Sequence, residues 1–449
     1  MLKKVLIANR GEIALRIIRA CRDVGVASVA VYSDADKDLP FVALADESVH
    51  IGPAPATQSY LVIDKLIAAA KQTGADSVHP GYGFLSENPS LARAVKDAGL
   101  IFIGPSAEVI EALGSKLAVR RMMRAAGVPV PPGADAPSSA EAARQLAEEI
   151  GYPVLVKPSG GGGGRGMRVV NEASEMESAL ETSKREAARS FGDSEVYIEK
   201  LMTSARHIEV QVLADNFGNV IHVGDRDCSM QRRHQKVIEE APAPGLTDEQ
   251  HQRVRSLAVK AVSAANYVNA GTVEFLFDGK EFYMLEVNTR IQVEHCVTEA
   301  VSSIDLVVEQ LRIASGEPLS MTQAEVVIRG AAIESRIYAE DATRKFMPSP
   351  GRITAARFPS GPWVREDRGF EPGHEITPFY DGMIAKLVVW GATREQAIAR
   401  TQRALAEYQF EGVRHNVKFL RWLVATPAFR EVRHDTGFIE REFRPEMLA

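Results

Sequence analysis

Between Tyr152 and Val170 the chain reads YPVLVKPSGGGGGRGMRVV, with five consecutive glycines between two apolar runs. Glycine loses more conformational freedom on folding than any other residue, so such a run persists only where bare backbone has a use. Gly161, Gly163 and Gly166 satisfy G-x-G-x-x-G, which by itself is a weak signal. A dinucleotide site needs those glycines to open a helix, yet the MRVV that follows is β-branched and strand-like. No G-x-x-x-x-G-K-[ST] occurs in the chain, which excludes a P-loop. A linker is disfavoured because both flanks are tight apolar runs. The segment is expected to be strand–glycines–strand, a hairpin whose N–H groups close over phosphate. Lys157 and Arg165 supply charge, and Gly160 to Gly164 form a mobile lid.

Around this segment the pattern changes character. From KKVLIAN to about Gly104, short apolar strands alternate with helical spacings such as Ile13, Ile17 and Ala20, which implies a doubly wound parallel sheet. The first turn, NRGE, lacks the dinucleotide fingerprint. AAGVPVPPGADAPSS reads as a linker. A helix, the glycine segment, a second helix and the strand SEVYIEKLM follow. From Arg206 the chain is strand-rich, and from about Gly330 it carries strands and the amphipathic helix TREQAIARTQRALAEY.

Composition narrows the function. The 449 residues suit two or three domains. A net charge of −6 argues against nucleic acid as principal partner. Cys21, Cys228 and Cys296 form no CxxC pair, so neither a disulfide framework nor zinc is indicated. No apolar run approaches the roughly 18 residues of a membrane helix, and no signal peptide is read at the N-terminus. The expectation is a reduced, cytoplasmic enzyme without a membrane partner.

A second constellation lies in GTVEFLFDGKEFYMLEVNTRIQVEH. Two apolar strands flank Asp278-Gly279, and each carries a glutamate where a core strand should be apolar, Glu274 and Glu286, with Asn288 two residues on. Hard oxygen ligands beside a polyphosphate suit Mg²⁺. A two-residue turn at Asp278-Gly279 would send Glu274 and Glu286 to opposite faces. An odd-length loop or a bulge is therefore expected. Asn288, Arg290, Gln292 and Glu294 share one direction if the run stays extended. Arginine beside a carboxylate can hold a small anion while the carboxylate takes a proton; a surface salt-bridge ladder fits that spacing equally well. Gln231, His234 and Lys236, in DRDCSMQRRHQKVIEE, belong either to a solvated basic face or to an anion site.

Over essentially its whole length the sequence resembles the biotin carboxylase family of ATP-grasp enzymes. The resemblance is carried by IANRGEIA, HPGYGFLSEN, GGGGGRGMRVV, RDCSMQRRHQK, EEAPAP, EVNTRIQVEH and PSPGRI. It implies an α/β and α+β fold with a doubly wound N-terminal domain (1–114), an ATP-grasp core (115–330) with a mobile lid at about 131–203, and a C-terminal domain (331–449). It implies ATP contacts from Lys116, Lys157, Gly163, Gly164, His207, Gln231, His234 and Leu276, with Glu199, Lys200, Leu201 and Met202 bordering the adenine. Glu274, Glu286 and Asn288 should hold Mg²⁺ or Mn²⁺ at two sites. Lys236, Arg290, Gln292 and Val293 should hold bicarbonate, Glu294 should be its base, and Arg336 should stabilise the biotin enolate near Tyr82 and Asp381. The implied partners are a biotin carboxyl carrier protein, a second copy of the chain and a carboxyltransferase subunit. No methionine precedes a lysine and no carboxyltransferase segment follows, so a stand-alone subunit is expected, most often that of acetyl-CoA carboxylase in fatty acid synthesis. Another acyl-CoA or pyruvate carboxylase, a carboxylate–amine ligase, or a nucleotide-binding scaffold are the alternatives. The chain departs from the family pattern in two places: Cys296 stands where many relatives have proline after QVEH, and EKLM replaces EKYL.

Overall fold

Short apolar runs separated by amphipathic helices build the N-terminal part of the chain. The computed structural model describes residues 2–134, 137, 139–159, 167–191 and 195–448. Strand β1 (Lys4–Ile7) leads into helix α1 (Gly11–Asp23), and β2 (Ala27–Ser33), β3 (Glu47–Gly52), β4 (Ser77–His79) and β5 (Ile101–Phe102) complete a sheet of order β3-β2-β1-β4-β5. All four pairings are parallel, as a doubly wound sheet requires. Among the strands of this sheet, β3 is the one the sequence pattern did not reveal. It is an edge strand whose ESVH residues are mostly solvent-facing, so it lacks the apolar run that marks a central strand.

Helix α2 (Lys116–Ala125) follows, capped by the Ser115 hydroxyl, which accepts from the Ala118 N–H. Next comes a small unit of β6 (Gly133–Ala134), α3 (Ala140–Ile150), β7 (Val154–Pro158), β8 (Arg168–Val170), α4 (Met176–Phe191) and β9 (Val196–Lys200). Its sheet has the order β6-β9-β7-β8. Val154, Val156, Val170 and Ile198 turn inward onto Ala143, Ala147 and Leu180. β7 and β8 are antiparallel neighbours, with Val154 opposite Val170, so the two flanks of the glycine run do form a hairpin. Gly160 to Gly164, and with them Gly163, Gly164 and Arg165, lie outside the described residues. The expected linker is partly structured: Gly133 and Ala134 pair with β9 as its edge.

The largest sheet joins β10 (Arg206–Ala214), β11 (Val220–Arg232), β12 (Gln235–Ala241), β13 (Asn269–Phe277), β14 (Phe282–Asn288), β15 (Ala331–Tyr338), β16 (Val364–Arg368) and β17 (Met383–Gly391), in the order β14-β13-β10-β11-β12-β15-β17-β16. Because β12 pairs with β15, the segments on either side of residue 330 share one sheet. Helix α5 (Asp248–Ala264) lays Val254, Leu257, Ala261 and Val262 over one face, against Ile208, Val210, Val273 and Phe275. Part of the opposite face lies under helix α6 (His295–Ser302) and is polar. No helix among the described residues is long and apolar enough to cross a membrane.

Candidate active site

Alternation along β10 and β13 sends Ile208, Val210, Val273 and Phe275 into the core and leaves His207, Glu209 and Glu274 on the other face. Glu209 lies opposite Glu274, and Glu274 opposite Glu286, so three glutamates stand abreast across three strands. The hairpin that achieves this has a four-residue loop, Asp278 to Glu281, and a bulge. Phe277 pairs with Phe282, but the register slips between Glu274 and Phe275, making Leu285 the extra residue. Without that bulge Glu274 would face Leu285 and Glu286 would point away. Asn288 faces Thr272 two positions along the same strand.

Lys236 lies at the centre of this acidic row. Its Nζ donates to Glu209 Oε2 at 2.5 Å, Glu294 Oε1 at 2.6 Å and Glu274 Oε1 at 2.9 Å. Arg226, wholly buried, supports the row from beneath through Glu209 at 2.6 Å and Gln292 at 2.5 Å, and Gln292 donates to Glu274 at 2.7 Å. Burial opposes ionisation of Glu294, but Lys236, then Arg336 and Arg226, hold it down to about 2. Burial likewise opposes the His207 cation, and Glu274 outweighs it to carry the imidazole up to about 9. His207 Nε2 lies 3.2 Å from Glu274 yet out of line for a hydrogen bond, while Nδ1 meets Gln231 at 3.0 Å.

The run after β14 does not stay extended. The strand stops at Asn288, and Glu294 becomes the N-cap residue of α6. The four side chains nevertheless converge: Arg290 donates to Asn288 Oδ1 at 2.6 Å and pairs with Glu87 at 3.2 Å, and Gln292 and Glu294 meet the Lys236 cluster. Arg336 donates through Nε to Glu239 at 2.6 Å and through Nη2 to Glu294 at 3.0 Å. Of the two readings of this run, the surface ladder is excluded by burial: Gln292, Glu294 and Arg336 are all inside. The basic run around Lys236 is solvated only in part: Gln231 is buried and Lys236 half-buried, while Arg233 and Gln235 are exposed. It is the β11–β12 hairpin, closed by Arg233 and His234 at φ 50° and 63°, with His234 on its exposed tip. Two non-glycine residues in the left-handed region are a strained way to close a hairpin.

On strands β7 and β9, Lys157 Nζ pairs with Glu199 at 2.6 Å, and Arg120 reaches the same carboxylate at 3.2 Å. Burial and the neighbouring Lys157 ammonium both push the Lys116 amine down, against the pull of Glu286 and Glu199. Leu201, Met202 and Leu276 are half-buried, and Leu276 stands opposite His207. The Lys200 ammonium turns away from Glu199 to the carbonyls of Gly151 and Tyr152; alternation along β9 dictates this. A cavity of about 390 Å³ beside Lys236 is lined by Arg232, Tyr338, Glu340, Phe346 and Asp381. The Tyr82 hydroxyl bonds Glu12.

Several site-forming residues were not singled out in the sequence. Glu209 in HIEVQVL carries the same signal as Glu274, a charge within an apolar strand, whereas Arg226 sits between Asp225 and Asp227 and is masked by them. Glu239 and Glu87 carry no such mark.

Lys236 thus stands among three glutamates, with Arg336 on Glu294 and with Lys116 and Lys157 near Glu286 and Glu199. Residues 1–110 match the family described as Biotin carboxylase, N-terminal domain; residues 115–322 match Carbamoyl-phosphate synthase L chain, ATP binding domain; and residues 334–441 match Biotin carboxylase C-terminal domain. The chain is 51% identical over 444 residues to a biotin carboxylase of Pseudomonas aeruginosa, covering 98% of this chain and 99% of that one. It is 52% identical to a pyruvate carboxylase subunit of Methanothermobacter thermautotrophicus, over 99% of this chain and 90% of that protein. The biotin carboxylase domain dimer of Hydrogenobacter thermophilus 2-oxoglutarate carboxylase, solved with MgADP, ADP and bicarbonate, superimposes with a TM-score of 0.94 at 43% identity, covering 100% of this chain and 99% of that one. The chain belongs to the biotin carboxylase family, the ATP-dependent ligases of biotin-dependent carboxylases.

Proposed function

We propose that this chain carboxylates biotin presented by a separate carrier protein, using ATP and bicarbonate. The observation that carries the reading is Lys236 clasped by Glu209, Glu274 and Glu294, with Arg290 and Arg336 beside it. Bicarbonate would enter among Lys236, Arg290, Gln292 and Val293. Glu294, ionised throughout the neutral range, takes its proton as an oxygen of bicarbonate attacks the γ-phosphorus and ADP leaves. The resulting carboxyphosphate separates into CO₂ and phosphate. Phosphate accepts the ureido proton of biotin, and the enolate, its charge faced by Arg336, adds to CO₂. The side chains position groups and supply charge.

ATP would lie along Lys116, Lys157, Gly163, Gly164, His207, Gln231, His234 and Leu276, with Glu199 to Met202 at the adenine. His207 Nε2, buried without an aligned partner, suits a phosphate oxygen. Mg²⁺ or Mn²⁺ fits Glu274, Glu286 and Asn288. Glu286 lies on the exposed edge of the row, and the desolvation imposed by its surroundings, then Glu274, push its carboxyl up; a hard divalent cation would relieve that repulsion. The ion would offset polyphosphate charge. The cavity lined by Asp381 would take the biotin ring.

We assign the chain to acetyl-CoA carboxylase as a homodimeric component working with a carrier and a carboxyltransferase. Pyruvate carboxylase is the second reading, favoured by the relative of that name. ATP cleavage that needs bicarbonate and rises with free biotin tests the reaction, and no response to biotin would refute it. Capture of the biotinylated partner with its carboxyltransferase, assayed on acetyl-CoA and pyruvate, decides the acceptor.

A further inference from the structure

We propose that Lys386 is a positioning residue that sets the Val293–Glu294 peptide from beneath, a role that rests on the bicarbonate reading of that loop. Lys386 lies in the middle of β17, fully buried. An unpaired ammonium there would be prohibitively costly, and an apolar side chain of similar length would pack the sheet at no such cost. Its contacts show what the charge is used for. Nζ donates to the Val293 carbonyl at 3.0 Å and to Cys296 Sγ at 3.3 Å, and it pairs with Glu12 Oε2 at 3.2 Å.

The Val293 carbonyl and the Glu294 N–H share one rigid peptide plane. A charge-assisted hydrogen bond on that oxygen therefore orients the backbone on both sides: the Val293 residue, and the Glu294 stem whose carboxylate reaches Lys236 and Arg336. Arg336 is the cross-strand neighbour of Lys386 on β15, so one sheet face presents both the group that contacts Glu294 and the group that holds its backbone. Cys296 extends the clamp, since Arg365 also donates to its sulfur at 3.3 Å and the thiol donates to Asp367 at 3.3 Å. Glu12 comes from α1 and is bonded by the Tyr82 hydroxyl. Lys386 thus ties the N-terminal segment, the C-terminal strand and the loop before α6 to a single ammonium.

The test uses the whole chain and three readouts: bicarbonate-dependent ATP cleavage, MgADP binding by calorimetry, and thermal unfolding. Lys386→Met should lower kcat/KM for bicarbonate at least tenfold while the Kd for MgADP stays within twofold, because the nucleotide contacts lie on other strands. Glu12→Gln, which weakens the hold on Lys386 without removing it, should lower the same parameter by a smaller factor. Wild-type kinetics toward bicarbonate in folded Lys386→Met would overturn the proposal, as would parallel losses of MgADP binding and bicarbonate turnover. If Lys386→Met does not fold, the same criteria applied to Glu12→Gln decide. A wild-type chain lacking bicarbonate-dependent cleavage would instead overturn the reading of the site itself.

Discussion

Replacing Lys236 with methionine removes the one cation shared by Glu209, Glu274 and Glu294, which it contacts at 2.5–2.9 Å. Arg226, His207 and Arg336 remain, one near each carboxylate, so the row keeps partial neutralisation. The size of the loss can be bounded through Glu294. Holding its carboxyl at about 2 rather than the ordinary 4.5 corresponds, at about 1.36 kcal/mol per pH unit, to on the order of 3 kcal/mol of native-state stabilisation at neutral pH. Breaking a buried ion pair costs roughly 3–5 kcal/mol, which agrees. At about 2.1 cal/mol/K per residue, the 449 residues unfolding together give about 0.94 kcal/mol per degree, so the melting transition should fall by roughly 3–5 °C.

The sign of the pH dependence is more diagnostic. In the wild type Glu274 and Glu294 are both depressed, so their contribution is complete above pH 4.5 and is lost as pH falls toward 2. In the variant the crowded carboxylates lie above their unfolded values, and protonating one relieves the repulsion. Thermal unfolding from pH 7 to pH 5 should therefore show the gap between variant and wild type narrowing, on top of the loss both chains share because burial holds His79, His222 and His295 well below the ordinary imidazole value. A melting temperature like that of the wild type, or a gap between the two chains that widens on mild acidification, would refute the electrostatic account of the row.

Arg290→Ala should depress bicarbonate-dependent ATP cleavage by about 2–4 kcal/mol of barrier, whereas Arg336→Ala should spare cleavage more than biotin carboxylation; equal losses in both assays would contradict the division. Glu299, held at about 2 against burial by His295, Arg16 and Arg365, stabilises above pH 4.5 and loses that contribution as pH falls toward 2, so Arg365→Gln should flatten the acid limb of a melting-temperature profile. Cys296→Pro should fold, because the residue is second in α6, where the N–H has no intrahelical acceptor. It removes the sulfur held by Lys386 and Arg365, and a lower kcat/KM for bicarbonate with unchanged MgADP affinity is the expected readout.

Local pattern was enough for a good part of this protein. Alternating apolar runs and 3.6-residue spacing marked β1, α1, β2, β10, β13 and the helix Arg394–Glu407, because those periods follow from backbone geometry alone. Glu274, Glu286 and Asn288 were legible as charges and an amide misplaced in apolar strands. The demand that the two glutamates share a face required a slip in register, and the bulge at Leu285 supplies it. Other features depend on partners far along the chain. β3 is defined only by pairing with β2, since an edge strand needs no apolar run. That Arg226, Glu239 and Lys386 are buried follows from the order β10-β11-β12-β15-β17, which no local window encodes. Asn288 to Glu294 carry the right side chains in sequence, but their convergence is set by where β14 stops and α6 begins. Propensity and period are local properties of a chain; the burial of a charge, and hence its pKa and its chemistry, is decided by whichever distant strands come to surround it.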